Sequence, residues 1–178
     1  MTITLAIDTS TSRTCVAVIG DGEILWSGYR DGATEHGPAL PALVQEGIKG
    51  FKVDDVVVGM GPGPFTGLRV GIAFAQSFAL ARGISWRGVC SLDAIAAQVN
   101  HFDFIITVDA RRKEVYWARY TDGIRVGEPS VNSLTDVTGA TIYSDLFPDM
   151  SALVALTGNI IEPMYLRRPD AVATADRP

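Results

Sequence analysis

The alternation of apolar runs with turn residues at the start of the chain predicts three short strands. Ile3 to Asp8 is an apolar run that ends in an acid, as expected for a buried strand. Strands are also predicted from Thr14 to Ile19 and from Glu23 to Gly28. Between these two lies Asp21-Gly22, a dipeptide that favours a two-residue hairpin turn. We therefore expect the chain to open with a β-β-β unit.

Helices and further strands are predicted to follow in alternation. Pro38 can begin a helix because no N–H is needed there, and Gly50 is a natural end for it. A second helix is expected between the glycine-rich run at 61–67 and Gly83. The predicted elements are helices over 38–49, 67–82 and Leu92 to Val99, with strands at Val56 to Met60 and Trp86 to Cys90.

The opening pattern then recurs. Phe104 to Asp109 has the form of the first strand, and Asp122-Gly123 has the form of the first hairpin turn, both 101 residues later. Chance similarity of common patterns is the alternative to duplication. We predict a full first lobe over 1–101 and a shortened second lobe with a C-terminal tail over 102–178. The pattern predicts an α/β protein with a ribonuclease-H-like, actin-like two-lobed fold, built from a duplicated β-β-β-α-β-α unit.

Composition and charge restrict the class of protein. Hydrophobic residues make up 47% and charged residues 20% of the chain, as in proteins that fold around a core. The net charge of -5 argues against a chain that grips nucleic acid by itself. The first apolar run is too short for a signal-peptide core, and no run reaches membrane-spanning length. With only two cysteines, Cys15 and Cys90, we expect a reduced cytoplasmic protein.

The glycine-rich loop between a strand and a helix is the first candidate for chemistry. Such a loop can hold an anion, or it can let a helix pack closely on a sheet. It lacks the Lys-Ser/Thr pair of a P-loop, and Pro62 and Pro64 remove two amide donors. Close packing is therefore the preferred interpretation for the structural glycine loop. Its residues are Gly61, Gly63, Thr66 and Gly67, and we expect Thr66 to cap the helix.

Other reactive side chains are sparse. His36 and His101 lie far apart and form no His-x-x-x-His pair, so we expect no metal site and no metallopeptidase. Cys15 and Cys90 fall in predicted strands and are expected to be buried apolar residues. Two small basic spots, Arg111-Arg112-Lys113 and Arg167-Arg168, are either solvated loops or contacts to RNA or to an acidic partner.

Four motifs together resemble the TsaB (YeaZ) family of the actin-like superfamily. They are Ile7-Asp8-Thr9-Ser10, the loop 61–71, Asp109-Ala110-Arg111-Arg112-Lys113-Glu114-Val115-Tyr116, and Glu162-Pro163-Met164-Tyr165-Leu166-Arg167. The resemblance covers residues 1–120 and 161–171. It implies an actin-like fold and a noncatalytic partner that activates TsaD in the N6-threonylcarbamoyl modification of tRNA adenosine-37. It also implies an assembly that includes the ATPase TsaE and reaches tRNA only through the complex.

The resemblance also implies which residues matter. The nucleotide loops of active relatives would be vestigial at Asp8, Thr9, Ser10 and Asp109, and no cofactor is expected. The helices 38–49 and 67–82 would bind TsaD, or a second copy when TsaD is absent. The expected partner-binding face comprises Leu40, Leu43, Val44, Ile48, Leu68, Gly71, Ile72, Ala75 and Ala79. Ala75→Arg is then expected to break the contact without unfolding the chain.

One enzymatic alternative stays open. It is a small actin-like ATPase or sugar-kinase relative that uses Asp8, Asp109 and the glycine loop. Two features speak against it, namely the absence of any Gly-Gly turn and the basic, glycine-free segment after Asp109.

Overall fold

The computed structural model describes residues 1–167 of the chain. These residues contain nine strands and four α-helices. The strands are β1 (Ile3–Asp8), β2 (Arg13–Gly20), β3 (Glu23–Asp31), β4 (Asp55–Gly59), β5 (Ser85–Val89), β6 (Asp103–Asp109), β7 (Glu114–Thr121), β8 (Ile124–Ser133) and β9 (Thr141–Tyr143). The helices are α1 (His36–Gly47), α2 (Phe65–Arg82), α3 (Ser91–Ala96) and α4 (Met150–Ala155).

Two sheets repeat one topology. The first has the strand order β3-β2-β1-β4-β5, and the second has the order β8-β7-β6-β9. In each, the first strand of the unit pairs antiparallel with the second and parallel with the strand after the crossover. The duplicated actin-like arrangement predicted from the sequence is therefore confirmed.

The two hairpin turns adopt the same backbone conformation. Asp21 and Gly22 have φ values of 49° and 88°, and Asp122 and Gly123 have values of 51° and 72°. Positive φ at both central residues is the requirement of a type I′ turn, whose twist matches that of the flanking strands. The Asp-Gly dipeptides thus fix the register of both hairpins.

The second sheet is the reduced one. It has four strands where the first has five. Where α1 joins β3 to β4 in the first unit, only a 3₁₀ turn at Leu134–Asp136 lies between β8 and β9. The reduction predicted for the second lobe thus falls on its crossover helix and its last strand. The boundaries of the two lobes, at 101 and 102, stay a prediction.

Helices cover both faces of the first sheet. One face carries α1 and α2, which pack on apolar side chains of β1, β2 and β4. The other face carries α4, whose Met150 and Leu153 pack on Ala6, Ala17 and Val57. The helix α4 belongs to the second half of the sequence, so the chain returns from the second sheet to pack against the first one. The sequence did not lead us to expect this.

The segment that follows α4, which we call the C-terminal strap (156–167), runs along the edge of β5. The Gly88 carbonyl accepts a hydrogen bond from the N–H of Ile160 over 2.8 Å, and the N–H of Gly88 donates to the side-chain oxygen of Asn159. Met164 then donates to the carbonyl of Met60, and Arg167 reaches Ala110 in the second lobe. The strap therefore joins both lobes. The predicted tail after Pro169 and the basic residue Arg168 lie outside the described residues.

The helix boundaries differ from the predicted ones by about one half-turn. α1 begins at His36, two residues before Pro38, and contains Pro41. A proline in the first turn lacks only an N–H that has no intrahelical partner, so Pro38 does not have to be the first residue. α2 begins at Phe65 instead of Gly67. Among the described residues, no helix is long and apolar enough to cross a membrane.

Candidate functional site: two loops, an interlobe cleft and a helical layer

A buried carboxylate lies at the centre of the predicted nucleotide loops. Asp8 ends β1 and is fully buried. One of its oxygens accepts the N–H and the hydroxyl of Ser10 at 2.8 and 2.7 Å, and the other accepts the Ser91 hydroxyl at 2.6 Å. Burial raises the pKa of Asp8, and the Ser91 and Ser10 hydrogen bonds oppose that shift. Both oxygens of the Asp8 carboxylate thus accept hydrogen bonds from other residues of the chain.

The glycine loop packs directly on the loop that follows β1. A Cβ on Gly63 would collide with the carbonyl oxygen of Ser10, and one on Gly67 would lie 2.6 Å from the carbonyl oxygen of Thr9. The Thr9 hydroxyl donates to the Gly67 carbonyl over 2.8 Å. The absence of a side chain at these two glycines is therefore what lets the loops meet.

The prediction that Thr66 caps α2 is wrong. The N-terminal capping position is occupied by Pro64, and no side chain bonds to the free N–H groups there. Thr66 lies inside the first turn and is exposed. The helix begins earlier than expected because Pro64, with a φ of -59°, needs no N–H at the boundary.

Asp109 occupies a different environment from Asp8. It ends β6, is exposed, and accepts the N–H of Arg111 at 2.8 Å. The next three residues, Arg111, Arg112 and Lys113, all have positive φ, at 63°, 55° and 66°. The second loop is thus a left-handed basic turn in place of a second buried acid.

Two clefts open between the lobes beside these loops. The smaller, of about 100 Å³, is lined by Thr11, Asp109, Arg111 and Asp145 among others. The larger, of about 310 Å³, is lined by Phe65, Thr66, Arg111 and Arg167 among others. Arg111 therefore borders both clefts. Asp8 is not among the lining residues of either.

The histidines and cysteines do not assemble into a reactive site. The Nδ1 atom of His36 hydrogen-bonds with the Thr14 hydroxyl at 2.8 Å, whereas His101 is exposed. Cys15 and Cys90 are free thiols, and burial raises the pKa of each to about 12. Within residues 1–167, no group of three or more His, Cys, Asp or Glu side chains is placed to hold a metal ion.

The residues expected to face a partner are instead packed inside this chain. Ala75 and Ala79 have no exposed surface, and a Cβ on Gly71 would collide with the Thr9 hydroxyl. The small-residue stripe of α2 is therefore the side that packs on the sheet and the first loop. The nine residues assigned to that face all lie in or against the core of the first lobe; they are Leu40, Leu43, Val44, Ile48, Leu68, Gly71, Ile72, Ala75 and Ala79.

The opposite sides of α1 and α2 are exposed and nearly uncharged. Leu80 is 83% exposed, and Ala73 and Ala42 are also at the surface. Glu46 is the single charged residue of α1, and α2 carries only Arg69 and Arg82. The two helices contact each other on the same face of the sheet. They present a two-helix layer with a weakly polar outer surface, which we call the helical layer.

One interlobe contact had no sequence signal that we recognised. The guanidinium of Arg13 lies between the rings of Tyr29 and Phe147, 3.9 and 3.8 Å from their centroids, and pairs with Asp31 at 2.6 Å. Arg13 and Phe147 are distant in sequence. A solitary arginine at the start of a strand gives no indication of such a partner.

Comparisons with known proteins place this geometry in a family. The family model of TsaD, described as tRNA N6-adenosine threonylcarbamoyltransferase, matches residues 35–168. An uncharacterized protein of Mycobacterium tuberculosis is 40% identical over 196 residues, which cover 94% of this chain and 92% of that protein. The tRNA threonylcarbamoyladenosine biosynthesis protein TsaB of Escherichia coli is 34% identical over 136 residues, which cover 70% of this chain and 58% of TsaB.

Solved structures agree with the sequence relatives. YeaZ from Pseudomonas aeruginosa superposes with a TM-score of 0.73 at 25% identity, over 87% of this chain and 90% of that one. A second structure, described as an uncharacterized protein with similarity to peptidase YeaZ, gives a TM-score of 0.74 and 25% identity over 94% and 100%. The chain therefore belongs to the TsaB (YeaZ) family of the actin-like superfamily.

Proposed function

We propose that this chain is a noncatalytic partner of a TsaD-like transferase in the N6-threonylcarbamoyl modification of tRNA adenosine-37. The names of its TsaB relatives and of the matching family model support the pathway. The exposed helical layer supports the role within it. This chain would hold the transferase in a competent conformation, in a cytoplasmic assembly that also contains a TsaE-like ATPase and reaches tRNA only as a complex.

The observation that carries the partner role is the outer surface of α1 and α2. Exposed apolar residues with few charges around them are a common sign of a protein interface. Leu80 stands out because a leucine with 83% of its surface in water gains most from being covered. In the absence of the transferase, the same surface is expected to bind a second copy of this chain.

The noncatalytic role is supported by the two loops. The Asp8 carboxylate is engaged by Ser10 and Ser91, and the glycine loop is filled by the backbone of Thr9 and Ser10. A nucleotide-dependent enzyme would need both loops open toward a shared cleft. The alternative of a small ATPase or sugar-kinase relative is therefore less well supported.

The test is a pair of surface variants. Leu80→Arg places a charge at the most exposed apolar side chain of the helical layer and should abolish co-purification with the TsaD-family protein of the same organism. Ile124→Arg is the matched control, because Ile124 is 71% exposed on β8, away from the helical layer. Co-purification that survives in Leu80→Arg would contradict the assigned surface.

The modification itself tests the role in the pathway. Reconstituted tRNA modification should require this chain and fall to background when it is omitted or replaced by Leu80→Arg. The isolated chain should show no ATP hydrolysis above a buffer control. ATP turnover by the isolated chain would instead favour the ATPase alternative.

A further inference from the structure

The left-handed basic turn after β6 is unusual in its backbone. Arg111, Arg112 and Lys113 are three consecutive residues with positive φ, and all are exposed. Residues other than glycine disfavour this conformation, because their Cβ atom comes too close to the following carbonyl oxygen. A chain that needed only a tight connection here could use glycine. The turn instead keeps three cations next to one another.

Contacts at both ends hold the turn in place. The Ala110 N–H donates to the Glu114 carbonyl over 2.9 Å, and the Glu114 N–H donates to the Arg111 carbonyl over 3.0 Å. From the C-terminal strap, Arg167 donates to the Ala110 carbonyl over 2.8 Å and pairs with the Glu114 carboxylate at 2.7 Å. The Glu114 carboxylate is thus paired with Arg167, and the Asp109 carboxylate accepts the N–H of Arg111, so the turn is held at both ends.

The turn continues into a larger surface beside α2. Arg111 and Arg167 line the 310 Å³ cleft together with Phe65. The ring of Tyr165 packs 4.8 Å from that of Phe65 and is 38% exposed. On the next turn of the helix, the guanidinium of exposed Arg69 lies over the Phe65 ring, 5.1 Å from its centroid. We call the exposed residues Arg69, Arg111, Arg112, Lys113 and Tyr165 the basic surface.

We propose that the basic surface binds the phosphate backbone of the RNA on which the complex acts, an inference that rests on the proposed function. Arginine and lysine supply most contacts to phosphates, and exposed aromatic rings beside them can stack on unpaired bases. Two acidic groups, Asp109 and Asp145, line the smaller cleft, which Arg111 also borders. The chain as a whole has a net charge of -5, so the basic surface is a positively charged patch on an acidic protein.

RNA fits this surface better than an acidic protein segment does. Arg111 and Arg167 border a concave cleft together with Phe65, whose ring packs on the exposed ring of Tyr165, and this suits a phosphate chain with unstacked bases. Because the chain as a whole repels phosphate, the contact is expected to matter only when a partner holds the RNA. The basic surface would then orient RNA that the transferase binds.

The conformation of the turn permits a variant that removes charge without removing structure. Glycine adopts positive φ readily, so Arg111→Gly combined with Lys113→Gly should keep the turn. The matched control is Arg30→Gln combined with Lys52→Gln, which removes two exposed cations elsewhere. A second variant, Arg111→Lys, keeps the charge at the turn. Each is assembled with the TsaD-family protein before measurement.

The measurement is the affinity of each assembled complex for an unmodified tRNA transcript that carries adenosine-37, across a series of salt concentrations. The glycine pair should weaken binding and lower the slope of log affinity against log salt by about 1 to 2, since each lost phosphate contact removes roughly one unit. The control pair and Arg111→Lys should retain the affinity of the original chain.

Two results would overturn the inference. One is an assembled glycine-pair complex whose affinity and salt slope match those of the control pair. The other is a glycine pair that no longer joins the transferase, which would make the basic surface a site for an acidic protein. Neither result would affect the proposed function, because that depends on whether the unaltered chain joins the transferase.

Discussion

Ser91, the first residue of α3, donates its hydroxyl hydrogen to the carboxylate of Asp8, the last residue of β1, over 2.6 Å. The two residues are far apart in sequence, and the bond joins the central strand of the first sheet to the helix that leads into the second lobe. Because burial raises the pKa of Asp8, its charged form depends on the donors around it. The bond is therefore a structural one at the junction of the lobes.

Removal of that donor should destabilise the fold. Ser91→Ala leaves one buried carboxylate oxygen without its hydroxyl donor, so the free energy of unfolding should fall by about 1–3 kcal/mol. Urea unfolding followed by circular dichroism measures the change. Ser77→Ala, at an exposed position of α2, serves as the control and should unfold at the original midpoint. Equal midpoints for the two variants would contradict this role of Ser91.

The close contact between the two loops predicts a large effect for one methyl group. Gly63→Ala would place a Cβ against the Ser10 carbonyl oxygen, and the free energy of unfolding should fall by about 1–3 kcal/mol. Gly37→Ala is the matched control, since no atom outside its chain neighbours and its own helix backbone lies within 4 Å of the added Cβ. In the exposed first part of α1 it should be neutral or stabilising by about 0.5–1 kcal/mol. Thermal unfolding of the two variants is the measurement.

The buried histidine predicts a pH dependence. Burial lowers the pKa of His36 below its ordinary value, with Asp8 acting in the opposite direction. As pH falls, the unfolded chain takes up the proton first, near about pH 6.5. The contribution of neutral His36 to the free energy of unfolding is therefore fully present above that pH. It is lost as pH falls toward the lower pKa of the folded state.

This dependence can be isolated with one substitution. His36→Asn offers a polar atom in place of Nδ1 toward Thr14 but does not titrate. Urea midpoints measured at about pH 7.5, 6.5 and 5.5, on either side of the ordinary histidine pKa, should fall more steeply for the original chain than for this variant. His101→Asn, which makes the same substitution at an exposed histidine, is the control. Parallel slopes for the original chain and His36→Asn would refute the expectation.

The burial of the α2 stripe reverses an expectation drawn from the sequence. Ala75→Arg would force a cation into a position with no exposed surface, at a cost of several kcal/mol, so the variant should fail to fold. Ala73→Arg, two residues away on the exposed side, should fold normally. Soluble yield and the thermal midpoint compare the pair. A folded Ala75→Arg chain would mean that α2 faces the sheet in another orientation.

Sequence patterns predicted the strands and the duplication well because those signals are local. Apolar runs and Asp-Gly turns specify a hairpin from residues that are neighbours in the chain. The orientation of α2 could not be obtained in this way. A stripe such as Gly71, Ala75 and Ala79 suits a sheet and a partner helix equally, and the deciding neighbour, Thr9, is distant in sequence.

The C-terminal region was missed for a related reason. The strap has only scattered apolar residues that pack on the core, such as Ile160 and Met164, and it is also held by backbone bonds to Gly88 and Met60 and by Arg167. Such bonds leave no pattern in side-chain type. The motif Glu162 to Arg167 was recognised through family resemblance alone, and the structure gives part of it a physical role, as the support of the turn at Ala110 and Glu114.

The return of α4 to the first sheet has a consequence for synthesis on the ribosome. Ala6, Ala17 and Val57 belong to β1, β2 and β4, yet Met150 and Leu153 are made more than 90 residues after Val57 (150 − 57 = 93). At about 5–20 residues per second, the sheet waits for several seconds with that apolar face uncovered. During this interval the nascent chain is a candidate substrate for chaperones, and a message truncated before α4 should yield a product that aggregates.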